Sequence, residues 1–248
     1  MGRPSRLRVR SRGPPAQPPT PTWIMTDRSG KYVYVVNDGN NTISEYSVDQ
    51  STGALAQLVD SSSAPVVAQT GNTPIFGTTD ANGHLFVANN GSPQSVSAFS
   101  IDTSSGSTAG QLKKIGSDVP VTGAISTLNV LTDPTGKFLY VLDLFASTVP
   151  SAPGRVFAFS LDPATGVIGS QIGTAQTVGQ NPTGMAIDPT GALLAIDNNI
   201  DNTISLFKVA GAGSTTLPPG GLTATNPPTA QTDTAPQFVV FYTAASGQ

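Results

Sequence analysis

Acidic and amide side chains recur in similar polar segments of this 248-residue chain, and they are the groups best suited to hold a ligand. Converging oxygen atoms of this kind can bind sugar hydroxyls or a hard cation. The same residue types also stabilise turns by bonding their own backbone, so each one taken singly has a structural interpretation. The candidate binding residues are Asn37, Asp38, Asn89, Asn90, Asp143, Asp197, Asn199 and Asp201.

Two further side chains are candidates for catalysis. Arg155 is one of only two arginines outside the N-terminal 12 residues, and it is the charged residue that we single out. His84 is the only histidine, and it directly follows a turn at Asp80–Gly83. A general base needs a positioning partner and access to substrate. The favoured interpretation of His84 is therefore a surface or strand-edge residue at the end opposite the functional face.

Neither a metal site nor a cofactor is predicted. The chain has no cysteine, which excludes disulfides, thiolate chemistry and cysteine-ligated metals. A histidine-ligated metal site would need further histidines. The glycine-rich stretches at 211–213 and 220–221 do not lie between a strand and a helix, so they are not phosphate-binding loops.

The elements that position these residues belong to a repeat. An Asp-x-x-Gly segment recurs every 53 to 55 residues, at Asp27–Gly30, Asp80–Gly83, Asp133–Gly136 and Asp188–Gly191. A fixed period of this size indicates one supersecondary unit copied several times. Each unit cannot bury its apolar faces alone, so the units must stack.

Each repeat contains about four predicted strands. A short strand precedes the Asp-x-x-Gly turn, an apolar run follows it, and an alternating segment such as Thr42–Val48 comes after the polar residues. Four short antiparallel strands per unit are typical of a β-propeller blade, whereas a β-sandwich needs roughly 100 residues. We therefore predict an all-β propeller whose innermost strand precedes each turn.

The predicted propeller comprises four full blades and a partial fifth within residues 21–248. The units are residues 21–71, 72–123, 124–180 and 181–230, with 231–248 as the partial one, including a strand at Phe238–Tyr242. Stacking brings the polar segments between second and third strands to one face, around the mouth of the channel. We expect a small molecule or carbohydrate to bind there. The loop Asp143–Gly154 is the longest and is expected to carry specificity.

The ends and the charge of the chain limit its partners. Residues 1–20 are rich in arginine and proline and are predicted to be a disordered tail. Without the tail's five arginines the basic residues fall from 12 to 7 against 15 acidic ones, a net charge of −8, which disfavours nucleic acid. No apolar stretch approaches the length of a membrane span. The tail lacks the apolar run of a secretory signal, while the weakly charged body suits an extracytoplasmic bacterial protein.

A four-blade arc would leave two blade faces bare. If each face buries several hundred Å² in a closed propeller, leaving both exposed forgoes on the order of 10 kcal/mol of hydrophobic stabilisation, at ~25 cal/mol per Å². We therefore expect the chain to be a fragment, or Phe238–Tyr242 to complete a blade, or two chains to associate through their open faces.

Several segments resemble the repeat of the lactonase-type seven-bladed propellers, a family that includes 6-phosphogluconolactonase-like, carboxymuconate-cyclase-like and "YVTN" repeat proteins. The matching segments are Gly30–Asn37, Asn41–Tyr46, Ser51–Leu55 and, most closely, Asp133–Leu144. The resemblance covers about residues 21–210 and implies seven blades in the whole protein. It also implies a site for a lactone or sugar acid at the channel mouth.

One departure from the family pattern leaves two functions open. Enzymatic members carry a Pro-His-Ala-His type segment just before an Asp-Pro-x-Gly turn, whereas the corresponding Ala124–Val130 has no histidine. The first hypothesis is an enzyme that hydrolyses a sugar lactone. The alternative is a non-catalytic propeller that binds a ligand, polysaccharide or protein at its loop face.

Overall fold

The computed structural model describes residues 19–145 and 152–241, and nearly all of the regular structure in them is β. Within these residues nineteen strands form four antiparallel sheets in chain order, which confirms the predicted all-β propeller architecture. Most of the tail predicted at 1–20 lies outside the described residues, as do the middle of the 143–154 loop and Tyr242.

The first two sheets each contain five strands. Blade 1 consists of β1 (Pro21–Thr26), β2 (Tyr32–Asn37), β3 (Thr42–Val48), β4 (Leu55–Gln57) and β5 (Val67–Gln69). Blade 2 consists of β6 (Pro74–Thr79), β7 (His84–Asn89), β8 (Ser95–Ile101), β9 (Leu112–Lys114) and β10 (Val119–Pro120). The predicted fourth strand is interrupted, so that two short strands pair with the third one.

The third sheet follows the same plan, whereas the fourth has four strands and an uninterrupted outer strand. Blade 3 consists of β11 (Thr127–Thr132), β12 (Phe138–Asp143), β13 (Pro153–Leu161), β14 (Ile168–Gln171) and β15 (Gln176–Gln180). Blade 4 consists of β16 (Pro182–Ile187), β17 (Leu193–Asn198), β18 (Thr203–Val209) and β19 (Leu222–Gln231). The inner strands β1, β6, β11 and β16 contact one another in this order, so the strand before each Asp-x-x-Gly turn is innermost.

The Asp-x-x-Gly signature builds the turn between the first and second strands. In blade 3, Asp133 Oδ1 accepts hydrogen bonds from the backbone N–H groups of Lys137 at 2.7 Å and Phe138 at 2.8 Å. Gly136 adopts a positive φ of 67°, which glycine reaches without the penalty of a side chain. The repeated aspartates are therefore occupied by their own turns.

The core lies between adjacent blades because alternate residues of each strand face opposite neighbours. Between blades 1 and 2 it contains Tyr34, Val36, Leu85, Val87 and Phe99. Equivalent clusters fill the other two interfaces, around Phe86 and Val141 and around Leu142 and Leu194. Each blade is therefore stabilised by its neighbours, as the repeat predicts.

A segment after blade 4 runs beside the inner strand β16. Thr183 Oγ1 lies 3.0 Å from the carbonyl oxygen of Gln237, and Asn199 Nδ2 donates to the carbonyl of Pro236 at 3.1 Å. Residues 232–241 nevertheless form no strand, and the Phe238 side chain is exposed. The strand predicted at Phe238–Tyr242 is therefore not seen in its described part, because no second strand of a fifth unit pairs with it there.

Helices contribute little to the described residues. A single 3₁₀ turn spans Asp38–Asn40, and no helix in the described part of the chain could cross a membrane.

Candidate functional site

The second strands of the four blades end side by side at the face where we predicted a ligand site. Their last residues are Asn37, Asn89, Asp143 and Asn198. Across the strand pair these residues face Thr42, Ser95, Arg155 and Thr203, respectively. The face therefore carries three asparagine–hydroxyl pairs and one aspartate–arginine pair.

The three asparagines bond to their own blades. Each side-chain amide donates to two hydroxyl groups of the third strand: Asn37 to Thr42 and Ser44, Asn89 to Ser95 and Ser97, and Asn198 to Thr203 and Ser205, over 2.9–3.3 Å. All three asparagines are buried. Asn37 and Asn89 thus hold the strand ends together and present little to a ligand.

Blade 3 departs from this arrangement. Asp143 is fully buried, and its Oδ1 accepts from the backbone N–H of Ser126 at 2.7 Å and of Ile125 at 3.1 Å. Its Oδ2 lies 2.7 Å from Arg155 Nη2. The carboxylate therefore joins the segment before β11 to the guanidinium on β13.

Arg155 is held on several sides. Its Nη2 also donates to the carbonyl of Gly123 at 2.6 Å, and its guanidinium carbon lies 5.4 Å from the ring centre of Phe157. The side chain is 21% exposed, and Nε is buried without a partner among the described residues. A positioned guanidinium of this kind is suited to a carboxylate, a phosphate or a carbonyl oxygen that gains negative charge.

Asp197 occupies a different environment from Asp143. It lies one residue before the end of β17, at the position of the apolar Leu142 in blade 3, and it is buried. Thr183 donates to its Oδ2, whereas Oδ1 has no partner among the described residues. Burial raises the pKa of the Asp197 carboxyl above its usual range. The side chain lies beside Thr183 and Gly184 of β16, next to the segment around Gln237.

The remaining predicted residues serve loop structure. Asp38 begins the 3₁₀ turn, and the Asn90 carbonyl accepts from Gln94 Nε2 at 3.2 Å. Asn199 bonds to the segment after β19, and the exposed Asp201 accepts from the Gln180 N–H at 2.7 Å. The eight predicted residues therefore do not form one cluster, and Arg155 is the one partly exposed side chain among the four cross-strand pairs.

Two residues that the sequence analysis missed join neighbouring blades. Gln94 Oε1 accepts from the backbone N–H of Thr127 at 3.0 Å, which connects blade 2 to blade 3. Glu45, the only glutamate, is fully buried between blades 1 and 2. In the sequence, the one signal of a special role for this residue was that the only glutamate lies in an alternating strand. Alternation alone does not show whether a given side chain is buried.

His84 is the first residue of β7, and Asn89 is the last. His84 therefore lies at the strand end away from the candidate site, as predicted. Of the two predicted placements, surface or strand edge, the surface one is wrong because the side chain is buried, whereas the residue does lie at the edge of its strand. Its Nδ1 lies 2.8 Å from Asp80 Oδ2, and the ring packs where a side chain at Gly166 would collide with it. The imidazole therefore joins blade 2 to a turn of blade 3.

No metal centre is formed by the described residues: no three His, Asp or Glu side chains within 19–145 and 152–241 converge as metal ligands would. The charged pair at this face is the partly exposed Arg155 and the buried Asp143 carboxylate.

Comparisons with known proteins agree with this architecture. The family described as "Lactonase, 7-bladed beta-propeller" matches residues 16–128 and 110–219. A 6-phosphogluconolactonase of Formosa agariphila is 35% identical over 75 residues, which are 30% of this chain and 20% of that protein.

Solved structures with similar folds include proteins described as lactonases. A putative 6-phosphogluconolactonase from Bacteroides uniformis aligns with a TM-score of 0.70 at 19% identity, over 88% of this chain and 56% of that one. One from Bacteroides fragilis gives 0.67 at 20% identity over the same shares. The periplasmic gluconolactonase of Pseudomonas aeruginosa gives 0.62 at 17% identity, over 86% and 54%.

The chain spans a little over half of each of these structures and a fifth of the curated relative. At such identities the structures establish the shared fold, whereas the family match covers most of the chain. The chain therefore belongs to the lactonase family of seven-bladed β-propellers.

Proposed function

We propose that this protein has a lactonase-type function and binds a sugar lactone or sugar acid at the face where the second strands end. Arg155 is the residue to which we assign recognition. The observation that supports this proposal is the Asp143–Arg155 pair, which replaces the asparagine–hydroxyl pair of the other three blades. Because three blades are built with the asparagine–hydroxyl pair, the stability of the repeat does not by itself explain why blade 3 differs.

The chemistry of Arg155 fits this assignment. Hydrolysis of a lactone develops negative charge on the carbonyl oxygen, and a fixed cationic donor stabilises that charge. Many sugar acids also carry a carboxylate or phosphate, with which a guanidinium forms charge-assisted hydrogen bonds. Asp143 orients the guanidinium through the 2.7 Å contact at Nη2, which spares the ligand the cost of ordering it.

The residue that would activate water is not assigned. His84 lies at the other end of its strand and bonds Asp80, so it does not reach the Arg155 region. The missing histidine in Ala124–Val130 supports the second candidate function, a propeller that binds such a ligand without hydrolysing it. Both functions share the Arg155 site and differ only in turnover.

The test measures turnover and binding with the same protein. Hydrolysis of glucono-1,5-lactone and 6-phosphogluconolactone is followed above the spontaneous rate, and binding of 6-phosphogluconate is measured by calorimetry. Arg155→Gln should weaken binding about 10- to 100-fold, the worth of a charge-assisted hydrogen bond. Arg28→Gln is the matched control, because Arg28 is exposed in the turn after β1, at the opposite end of the blade.

The outcomes separate the proposals. Turnover that depends on Arg155 supports the lactonase function, and binding without turnover supports the second candidate. Equal effects of the two arginine substitutions, or no binding by the unchanged protein, would reject the site.

A further inference from the structure

Glu45 replaces a small residue at one blade interface. It lies opposite Tyr34 on β2, and the same cross-strand positions in blades 2 and 3 pair Phe86 with Ala98 and Tyr140 with Ala158. The Glu45 side chain is nevertheless fully buried, facing blade 2. An ionisable group thus stands where the next two copies of the repeat have a methyl group.

The contacts of Glu45 link the two blades. Its Oε2 accepts a hydrogen bond from the Leu112 N–H of β9 at 3.0 Å, and its Oε1 has no partner among the described residues. Close by, the Tyr34 hydroxyl donates to the carbonyl of Gly110 at 2.8 Å. The segment 110–112 of blade 2 is therefore held on blade 1 by two buried polar side chains.

The interface between blades 3 and 4 has the same tyrosine contact without the acid. Tyr140 donates to the carbonyl of Gly220 at 3.2 Å, and the position of Glu45 is held there by Ala158. The molecule thus contains a second interface that differs from the first mainly in having no ionisable group beside the tyrosine.

No cation compensates Glu45 among the described residues. The titratable groups on the packed elements are Tyr32 and Tyr34 on β2, Tyr46 on β3 itself, His84 on β7, which bonds Asp80, and Lys113 and Lys114 on β9. Asp27, in the turn before β2, adds a further acid beside Tyr34. Lys113 is exposed, and Lys114 Nζ lies 2.8 Å from Asp118 Oδ1. Burial raises the pKa of Glu45 to about 7, while the Leu112 hydrogen bond opposes this change. An ionised carboxylate with one donor and no counter-ion is costly to bury.

We infer that Glu45 makes the docking of residues 110–114 on blade 1 pH-responsive, with the neutral acid favouring the closed interface and the carboxylate loosening it. The contribution of Glu45 to the stability of this interface is largest below pH 4.5, where the acid is neutral in both the folded and the unfolded chain. It is lost as the pH rises from about 4.5 to about 7, because the unfolded chain gives up the proton first. Above that range it stays constant at its lower value.

Hydrogen exchange tests this inference in the unchanged protein. Protection of the amides in 110–114 and in 220–224 is measured at pH 5.5 and pH 8.0, each corrected for the intrinsic exchange rate. We expect the protection of 110–114 to fall about 10- to 30-fold at the higher pH. The segment 220–224 should change much less and serves as the internal control.

Two variants complete the test. Glu45→Gln keeps the size of the side chain without its titration, and Glu45→Ala restores the residue found in blades 2 and 3. Both should make the protection of 110–114 independent of pH. The inference is overturned if the two segments of the unchanged protein respond equally, a comparison that does not require either variant to fold. It is also overturned if a folded variant keeps the pH dependence.

Discussion

Asp143 and Arg155 face each other across β12 and β13, at the position where the other three blades pair asparagine with threonine or serine. The exchange keeps a hydrogen bond across the strand pair and adds two charges, of which only the arginine reaches solvent. Blade 3 therefore retains the architecture of the repeat while presenting a cation at the face. Each such special residue has an ordinary counterpart in another blade, so the internal repeats provide reference positions for substitutions.

Asp143→Asn should destabilise the protein by about 1–3 kcal/mol. Asparagine keeps one oxygen for the two backbone N–H groups, but it replaces the oxygen that accepts from Arg155 with an NH2 donor and removes the negative charge. The partial exposure of Arg155 keeps the cost below that of a fully buried pair. The double change Asp143→Asn with Arg155→Ser recreates the blade 2 pair and should recover part of the loss. Urea unfolding of the two single variants and the double variant gives the coupling energy. Strictly additive effects would show that the two side chains do not act as a unit.

The fold could be predicted from the sequence because its signals are local and repeated. The Asp-x-x-Gly turns, such as Asp133–Gly136, and the alternation in Thr42–Val48 each depend on a few adjacent residues. Copies at a constant spacing then leave few architectures open. The structure shows the same reason at atomic level, since Asp133 is occupied by its own turn.

The site was less predictable because composition does not reveal contacts. Asn89 and Asp143 occupy equivalent positions, yet the first bonds two serine hydroxyls and the second binds an arginine 12 residues away. The burial of Glu45 and His84 depends on which blade packs against them. Such information comes from tertiary packing rather than from local pattern.

Gly110→Ala should be far more damaging than Gly116→Ala. Both glycines have positive φ values, 82° and 63°, so both variants pay a similar backbone cost of about 1–2 kcal/mol. A Cβ at Gly110 would lie 2.2 Å from the Tyr32 ring, whereas nothing lies within 4 Å at Gly116. Thermal unfolding should therefore show a clearly larger loss for Gly110→Ala. Equal losses would mean that the Tyr32 ring moves aside at little cost.

His84→Ala should lower stability without lowering ligand binding. The change removes the buried contact with Asp80 and leaves a space against blade 3, which costs about 2–4 kcal/mol. The Arg155 site lies at the other end of the strands and should bind 6-phosphogluconate as before. Calorimetry at a temperature where the variant is folded makes the comparison. Loss of binding by a fully folded variant would show that His84 takes part in the site after all.

The outward face of blade 1 should drive self-association of the chain. Ile24 and Val67 lie in one row across this sheet and are 61% and 44% exposed. The corresponding face of blade 2, with Val87 and Phe99, packs against blade 1. The exposed row of blade 1 therefore lies on a face whose equivalent in blade 2 is buried against a neighbour.

Light scattering should therefore show a mass that rises with concentration, and Ile24→Lys combined with Val67→Lys should reduce it. Val167→Lys is the control, because Val167 is 49% exposed in a turn of blade 3. A monomer at all concentrations, or an equal effect of the control, would show that this face does not associate.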